Sequence, residues 1–144
     1  MRYNTQMFDH CMYFNTAALA RRLEREWALA FKPFGLAPPQ AFMLRAILEA
    51  PGALQFELAQ TLAISRPTAT RALDGLAAKK MILRQPTDQD GRHMAIYPTA
   101  DAVAIASGLN EASAVVTRRL KKLLGDTSFA GVVQKIRGVR SALR

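Results

Sequence analysis

Hydroxyl and guanidinium side chains recur over seven residues in the middle of the chain. They are Ser65, Arg66, Thr68, Thr70 and Arg71. Hydroxyl groups hydrogen-bond to phosphates or to base edges, and arginine can bind guanine O6 and N7 with two donors or clamp a phosphate. The same residue types also occur on ordinary solvated helix faces, so nucleic-acid recognition and a plain polar surface both remain open at this point.

These side chains belong to a predicted helix that begins after Ser65 and continues to about Lys79. Ser65 is a favourable N-cap because its hydroxyl can accept a backbone N–H of the first turn. Pro67 is tolerated in that turn. Apolar residues recur at helical spacing, at Ala69, Ala72, Leu73 and Leu76. The hydroxyl and guanidinium groups are therefore expected on the opposite, outer face.

A second polar cluster lies in the turn between two short predicted strands. Arg92 in this turn can enter the narrow minor groove of DNA, where negative potential is concentrated, and His93 follows it. Asp88 and Asp90 would repel phosphate. We expect them to pair with Arg92 or a neighbour and to fix the shape of the loop, a structural role that Arg92 can combine with DNA contact.

The rest of the chain is predicted to be largely helical. Helices are expected over 8–31, from Pro38 to Pro51, over 55–62, from Thr99 to Gly125 and from about Thr127. Two short helices joined by a tight turn and followed by a hairpin form a winged helix-turn-helix, whose second helix fits the major groove of B-DNA. The predicted fold class is therefore mainly α with a small β-hairpin.

Length and charge restrict the class of protein. The chain has 144 residues, which suits one domain, and its net charge of +9 favours nucleic acid as a partner ahead of an acidic membrane surface. No apolar run is long enough to span a bilayer and no signal peptide is recognisable, so we expect a cytoplasmic protein. The single cysteine excludes an intramolecular disulfide and multi-cysteine metal sites. No cofactor or metal site is predicted.

Three ordered segments, 57–59, 65–76 and 90–99, resemble the MarR family of bacterial transcriptional regulators. The wing motif of that family, D-x-R-x-x-x-[LIV]-x-L-T, is matched by Asp90, Arg92, Ile96 and Thr99. Two residues depart from the family pattern. Pro98 replaces the usual leucine, and Lys80 stands where many members carry glycine, so a left-handed backbone there would be mildly strained.

The resemblance implies a sequence-specific regulator of double-stranded DNA, a repressor or less commonly an activator. It implies a single domain over 1–144, with a winged-helix DNA-binding lobe over 36–99 and a helical dimerisation region over 8–32 and 100–144. A homodimer would hold two recognition helices about one DNA turn, ~34 Å, apart over a pseudo-palindromic operator.

The resemblance also implies a regulatory signal. Family members bind small phenolic or aromatic effectors between the dimerisation helices and the DNA-binding lobe, and some sense oxidants. Cys11, beside His10 and close to Tyr13, is similar to the reactive cysteine of the one-cysteine, organic-peroxide-sensing branch, although a lone cysteine on a helix can also be an inert packing residue. The candidate sensor or effector-pocket residues are Cys11, Tyr13, Trp27, Phe31, Phe42 and Met43, of which the aromatic and methionine members fit a core equally well.

Two other classes of function stay open. An enzyme is not expected, because the usual catalytic motifs are missing, and a thiol-dependent, peroxide-consuming enzyme built on Cys11 is the catalytic alternative. The other is an architectural nucleic-acid binder without an effector. Its binding would depend steeply on salt and show little preference among sequences.

Overall fold

The computed structural model of the protein describes residues 6–87 and 92–143. Its helices are α1 (Met12–Phe31), α2 (Pro38–Glu49), α3 (Gln55–Leu62), α4 (Arg66–Ala78), α5 (Ala100–Leu124) and α6 (Asp126–Ala142), with a 3-10 turn over Lys32–Phe34. Its strands are β1 (Ala53–Leu54), β2 (Ile82–Pro86) and β3 (Met94–Pro98). The predicted mainly helical fold class is confirmed. Within the described ranges, no helix has both the length and the apolar character of a membrane span.

Helix α1 begins at Met12 rather than at Phe8 as predicted. Cys11 has extended backbone angles, and its sulfur accepts the backbone N–H of Phe14 at 3.5 Å, so it is the N-cap. The residues before it form a turn. Met7 and Phe8 continue the apolar character of the segment but precede this cap, which explains why the apolar pattern placed the start too early.

Helices α2, α3 and α4 surround one apolar core. The four inward positions predicted for α4 are all buried: Ala69, Ala72, Leu73 and Leu76. Ile47 from α2 and Leu58 from α3 are buried in the same cluster. Ala63 makes the tight turn between α3 and α4 with a φ of 56°, a left-handed conformation that costs an alanine about 1–2 kcal/mol. Burial of the inner side of α4 leaves its hydroxyl and guanidinium side facing outward.

The sheet has three strands in the order β1-β3-β2, so the predicted hairpin β2–β3 has an additional partner. Ala53 and Leu54 pair antiparallel with Ile96 and Ala95, and the N–H of Gly52 donates to the Ile96 carbonyl at 2.8 Å. This third strand was not predicted because two residues show no alternating pattern. Strand β1 joins the β2–β3 hairpin, which we call the wing, to the chain just before α3.

Lys80 takes the left-handed conformation predicted for it, with a φ of 59°. The turn is held by hydrogen bonds on both sides. The Lys80 carbonyl accepts the hydroxyl of Thr99 at 2.8 Å, and the N–H of Met81 donates to the Leu76 carbonyl at 2.9 Å. Thr99 also accepts the N–H of Ala102 at 3.3 Å and so caps α5. These bonds offset the strain of a non-glycine residue at this position.

Helices α5 and α6 extend beyond the winged-helix core. No residue of α6 is buried. Four apolar side chains at helical spacing, Val132, Val133, Ile136 and Val139, are each 37–43% exposed on it. We call this set the α6 apolar face. An amphipathic helix normally buries such a face, so the single chain leaves it without a covering surface.

Candidate functional site

The outer side of α4 is organised by its N-terminal cap. The Ser65 hydroxyl accepts the N–H of Thr68 at 3.3 Å, as the sequence predicted, and donates to the hydroxyl of Thr68 at 2.9 Å. Arg66 and Arg71 are exposed, and the side chains of Thr68 and Thr70 are half-buried. The structure therefore brings all five predicted residues to the first two turns of one helix, on its solvent side.

Two of these side chains are held by hydrogen bonds before any ligand is present. Arg71 Nη2 donates to Thr68 Oγ1 at 3.3 Å. Gln55 Nε2, at the start of α3, donates to Thr70 Oγ1 at 2.8 Å. The contribution of Gln55 depends on the packing of α3 against α4, so no local sequence signal identifies it. Restricting these rotamers lowers the entropy lost when a ligand binds.

The wing lies next to this surface. A cavity of about 440 Å³ between α3, α4 and the wing is lined by Arg66, Arg92 and His93 together with Phe56. The imidazole of His93 lies 6.1 Å from the Phe56 ring, centroid to centroid. Arg84 Nη2 of β2 contacts Asp74 Oδ1 of α4 at 2.7 Å, an ion pair that the sequence did not indicate. Arg66 of α4 and the basic residues of the wing thus line a common groove, and Arg71 lies outside its lining.

Asp88 and Asp90 lie outside the described residues, as does the rest of the loop from 88 to 91. Their pairing with Arg92 or a neighbour therefore stays a prediction. Arg92 and His93 themselves are described and exposed, at the point where the chain enters β3. The ion pair between Arg84 and Asp74 connects the wing directly to α4 through charged groups.

The six candidate sensor residues do not form one site, although the rings of Phe31 and Phe42 meet edge to face with 5.9 Å between their centroids. Phe31 and Met43 are fully buried in the core, and Trp27 packs against it. Cys11 and Tyr13 are exposed at the start of α1, where Tyr13 retains 82% of its accessible surface. Of the six, Phe42 lines a cavity of about 490 Å³ between α2, α3 and α5. Helical periodicity marks both core and pocket positions, so it did not separate them.

Arg45 stands at one end of that cavity and was not anticipated. Its guanidinium carbon lies 5.1 Å from the centroid of the Phe42 ring, and its Nε donates to Asn110 Oδ1 at 2.9 Å. Burial lowers the pKa of Arg45, and the nearby charge of Glu49 opposes this shift. Because the ordinary pKa of arginine lies far above neutral pH, the group stays positive at pH 7. The rest of the lining combines apolar side chains with four polar ones, namely Glu49, Glu57, Thr61 and Asn110.

Ser113 of α5 joins three helices through one hydroxyl. It is buried, with 7% of its surface exposed, and accepts Trp27 Nε1 of α1 at 3.0 Å and Arg45 Nη1 of α2 at 3.2 Å. These partners are 86 and 68 residues away in sequence. The dimerisation segments predicted from the sequence are thus hydrogen-bonded to the first helix of the winged-helix lobe, beside the cavity.

Comparison with known proteins agrees with this architecture. Residues 34–93 match the family model described as MarR family. An uncharacterized HTH-type transcriptional regulator of Bacillus subtilis (strain 168), YybA, is 32% identical over 81 residues, which are 56% of this chain and 54% of the relative. The chain thus spans about half the length of this curated relative.

Solved structures match over nearly the whole chain. A MarR protein from Peptoclostridium difficile superposes with a TM-score of 0.86 at 17% identity, covering 99% of this chain and 94% of that one. MepR of S. aureus, solved in complex with DNA, has a TM-score of 0.83 at 18% identity. The match covers 92% of this chain and 97% of MepR. The repressor CouR bound to p-coumaroyl-CoA has a TM-score of 0.84 at 20% identity. The match covers 97% of this chain and 98% of CouR. At these identities the likeness concerns the fold.

Proposed function

The winged-helix domain of this chain belongs to the MarR family, and from that premise we propose that the protein is a sequence-specific, DNA-binding transcriptional repressor that acts as a homodimer. The observation that carries the proposal is the polar, outward-facing side of α4 together with the adjacent groove that Arg66 shares with Arg92 and His93 of the wing. Such a regulator acts in the cytoplasm on the chromosome, and the proposal includes no catalytic activity.

In this proposal each element has a defined role on the duplex. Thr68 and Arg71 contact base edges in the major groove, with Ser65, Arg66 and Thr70 beside them on the same helix. Arg92 and His93 at the base of the wing contact the adjacent minor groove and its phosphates. The relatives MepR and CouR, whose solved structures include complexes with DNA, support this assignment by their fold.

The homodimer is supported by the α6 apolar face. Its exposed side chains need a covering surface, and the start of α1 carries further exposed apolar residues, including Phe8 and Phe14. We propose that residues 8–32 and 100–144 form the dimer, leaving residues 36–99 of each protomer as a DNA-binding lobe. Two lobes related by a twofold axis would then read the two halves of a pseudo-palindromic operator.

The first prediction tests the DNA-binding surface. Arg71→Ala and Thr68→Ala are each expected to lose about 1–3 kcal/mol of operator binding and to relax sequence preference, because both side chains face base edges. Arg92→Ala is expected to weaken binding evenly across sequences. Electrophoretic mobility shift and fluorescence anisotropy with operator and scrambled duplexes measure both effects.

The matched control for loss of charge is Arg118→Ala, an exposed arginine of α5 whose partner is Glu111. It should bind both duplexes like the parent protein. If Thr68→Ala, Arg71→Ala and Arg92→Ala all bind operator DNA with unchanged affinity and preference, the proposed surface is wrong.

We further propose that DNA affinity is regulated by a small aromatic acid bound in the cavity between α2, α3 and α5. The apolar part of the lining suits an aromatic ring, and Arg45 supplies a partly desolvated positive charge for a carboxylate or phenolate, although the carboxylates of Glu49 and Glu57 line the same cavity. The relative CouR, solved with p-coumaroyl-CoA, supports an aromatic acyl ligand for this fold. Oxidation of Cys11, which caps α1 beside the proposed dimer surface and is exposed in the single chain, is the second hypothesis.

A second prediction separates these two signals. 4-Hydroxybenzoate is expected to change the fluorescence of Trp27, the single tryptophan of the chain, and to release operator DNA. Arg45→Met should weaken this response about tenfold or more, because a charge-assisted contact is lost, whereas Cys11→Ser should respond like the parent. Release of DNA by cumene hydroperoxide alone, abolished in Cys11→Ser, would instead assign the signal to oxidation.

A further inference from the structure

The first two turns of α4 present hydrogen-bond donors, and this property restricts the operator sequence. Thr68 Oγ1 accepts from two groups, Ser65 Oγ at 2.9 Å and Arg71 Nη2 at 3.3 Å. A hydroxyl that accepts twice keeps its own proton for donation. Thr70 Oγ1 accepts from Gln55 Nε2 at 2.8 Å and likewise keeps its proton. Both threonine hydroxyls are therefore left to donate to an incoming ligand.

The two arginines of these turns add only donors. A guanidinium carries five N–H donors and no acceptor, and the contact with Thr68 uses one nitrogen of Arg71, so the remaining edge of its planar group can bind a pair of acceptors. The carboxylate of Asp74, about one turn further along the exposed side, receives Arg84 at 2.7 Å. That ion pair partly neutralises the negative charge next to the donor surface.

From this arrangement we infer that the protein selects guanine in each operator half-site, with Arg71 donating to guanine O6 and N7 in the major groove. The inference rests on the proposed function, because it requires that α4 enters that groove. Guanine is the base that shows two adjacent acceptors there, whereas adenine pairs its N7 acceptor with an amino donor and cytosine shows a donor. The free guanidinium edge of Arg71 is therefore complementary to the two acceptors of guanine and mismatched with the amino donors at adenine N6 and cytosine N4.

Arg71 rather than Arg66 is assigned to the base. Arg71 already donates to Thr68, so part of its side-chain freedom is restricted before binding. Arg66 lines the groove together with Arg92 and His93, a grouping of positive residues that suits the phosphate backbone. Thr68 is then a positioning residue: it orients Arg71 and donates its own proton to the same acceptor-rich edge.

The test begins with selection of duplexes from a random pool by the purified full-length protein. Enrichment of a palindromic site with guanine in the protected major groove of each half is expected. If no sequence is enriched, the proposed function fails. If a site is enriched whose protected half-sites contain no guanine, the proposed function stands and this inference is overturned.

Each guanine of the selected half-site is then replaced in turn by 7-deazaguanine, in which C–H replaces the N7 acceptor. One replacement per half-site is expected to weaken binding by the parent protein about 5- to 150-fold. Arg71→Ala should bind the two duplexes equally, whereas Arg118→Ala should discriminate like the parent. Parent affinities within twofold at every guanine, or discrimination that persists in Arg71→Ala, would overturn the assignment.

Thr68 is tested by Thr68→Val, which removes the hydroxyl at nearly constant volume, and by Thr68→Ser, which keeps it. Thr68→Val should lose much of the discrimination between guanine and 7-deazaguanine, and Thr68→Ser should retain it. A purely structural role would instead lower the affinity for both duplexes by the same factor and leave their ratio unchanged.

Discussion

Val132→Glu combined with Ile136→Glu in α6 is expected to convert the dimer to a monomer and to lower operator affinity by about 10²- to 10⁴-fold. Both side chains belong to the α6 apolar face and are 43% and 41% exposed in the single chain. Burying a carboxylate against an apolar partner surface without a counter-charge costs several kcal/mol. Without the dimer, the second half-site is no longer bound at high effective concentration.

The control for the added charge is Thr127→Glu combined with Ser141→Glu, on other exposed positions of α6. This variant carries the same two charges and should remain dimeric. Analytical ultracentrifugation gives the mass of each variant, and anisotropy with full and half operators gives its affinity. A Val132→Glu, Ile136→Glu protein that sediments as a dimer and binds the full operator normally would assign the dimer to another surface.

The second large effect is expected from Leu73→Ala, which should lower the free energy of unfolding by about 2–5 kcal/mol. Leu73 is fully buried on the inner side of α4, where α4 packs on α2. Removing its isobutyl group loses the transfer free energy of that group and leaves a cavity. Because α4 also carries the outer donor groups, weaker packing beneath it should reduce operator binding at temperatures near the unfolding midpoint.

Leu83→Ala is the matched control, since Leu83 of β2 is 55% exposed. Its effect on stability should stay within about 0.5 kcal/mol. Urea unfolding of both variants at the same protomer concentration measures the difference, because dimer stability depends on concentration. Equal destabilisation by the two substitutions would contradict the core position of Leu73.

Local sequence rules accounted for most of the winged-helix lobe. A hydroxyl cap at Ser65 and apolar spacing over α4 predicted its start and its buried side, because both effects act within four residues of chain. The left-handed turn at Lys80 was predicted from the family pattern. The early start given to α1 shows the limit of this approach, since a cysteine cap is an uncommon signal for a helix boundary.

Contacts between distant segments could not be predicted in the same way. Ser113 meets Trp27 and Arg45, and Gln55 meets Thr70, because of how helices pack, and tertiary packing leaves no periodic mark in a single sequence. The same reason separates Phe42, which lines the cavity, from Met43 beside it, which is buried in the core. A one-residue difference on a helix decides which side a residue faces, but the sequence does not reveal which side is hollow.

The hydroxyl of Ser113 has two lone pairs, and Trp27 and Arg45 occupy both. If α1 or α2 slid along α5 by more than a few tenths of an ångström, the N–H of Trp27 or of Arg45 would lose its acceptor where little water can replace it. Such a loss costs about 1–3 kcal/mol. Small graded adjustments at this junction are thereby disfavoured. We expect α1, α2 and α5 either to keep their relative positions or to shift together. The distance between the two α4 helices of the proposed dimer would then change in discrete steps rather than continuously.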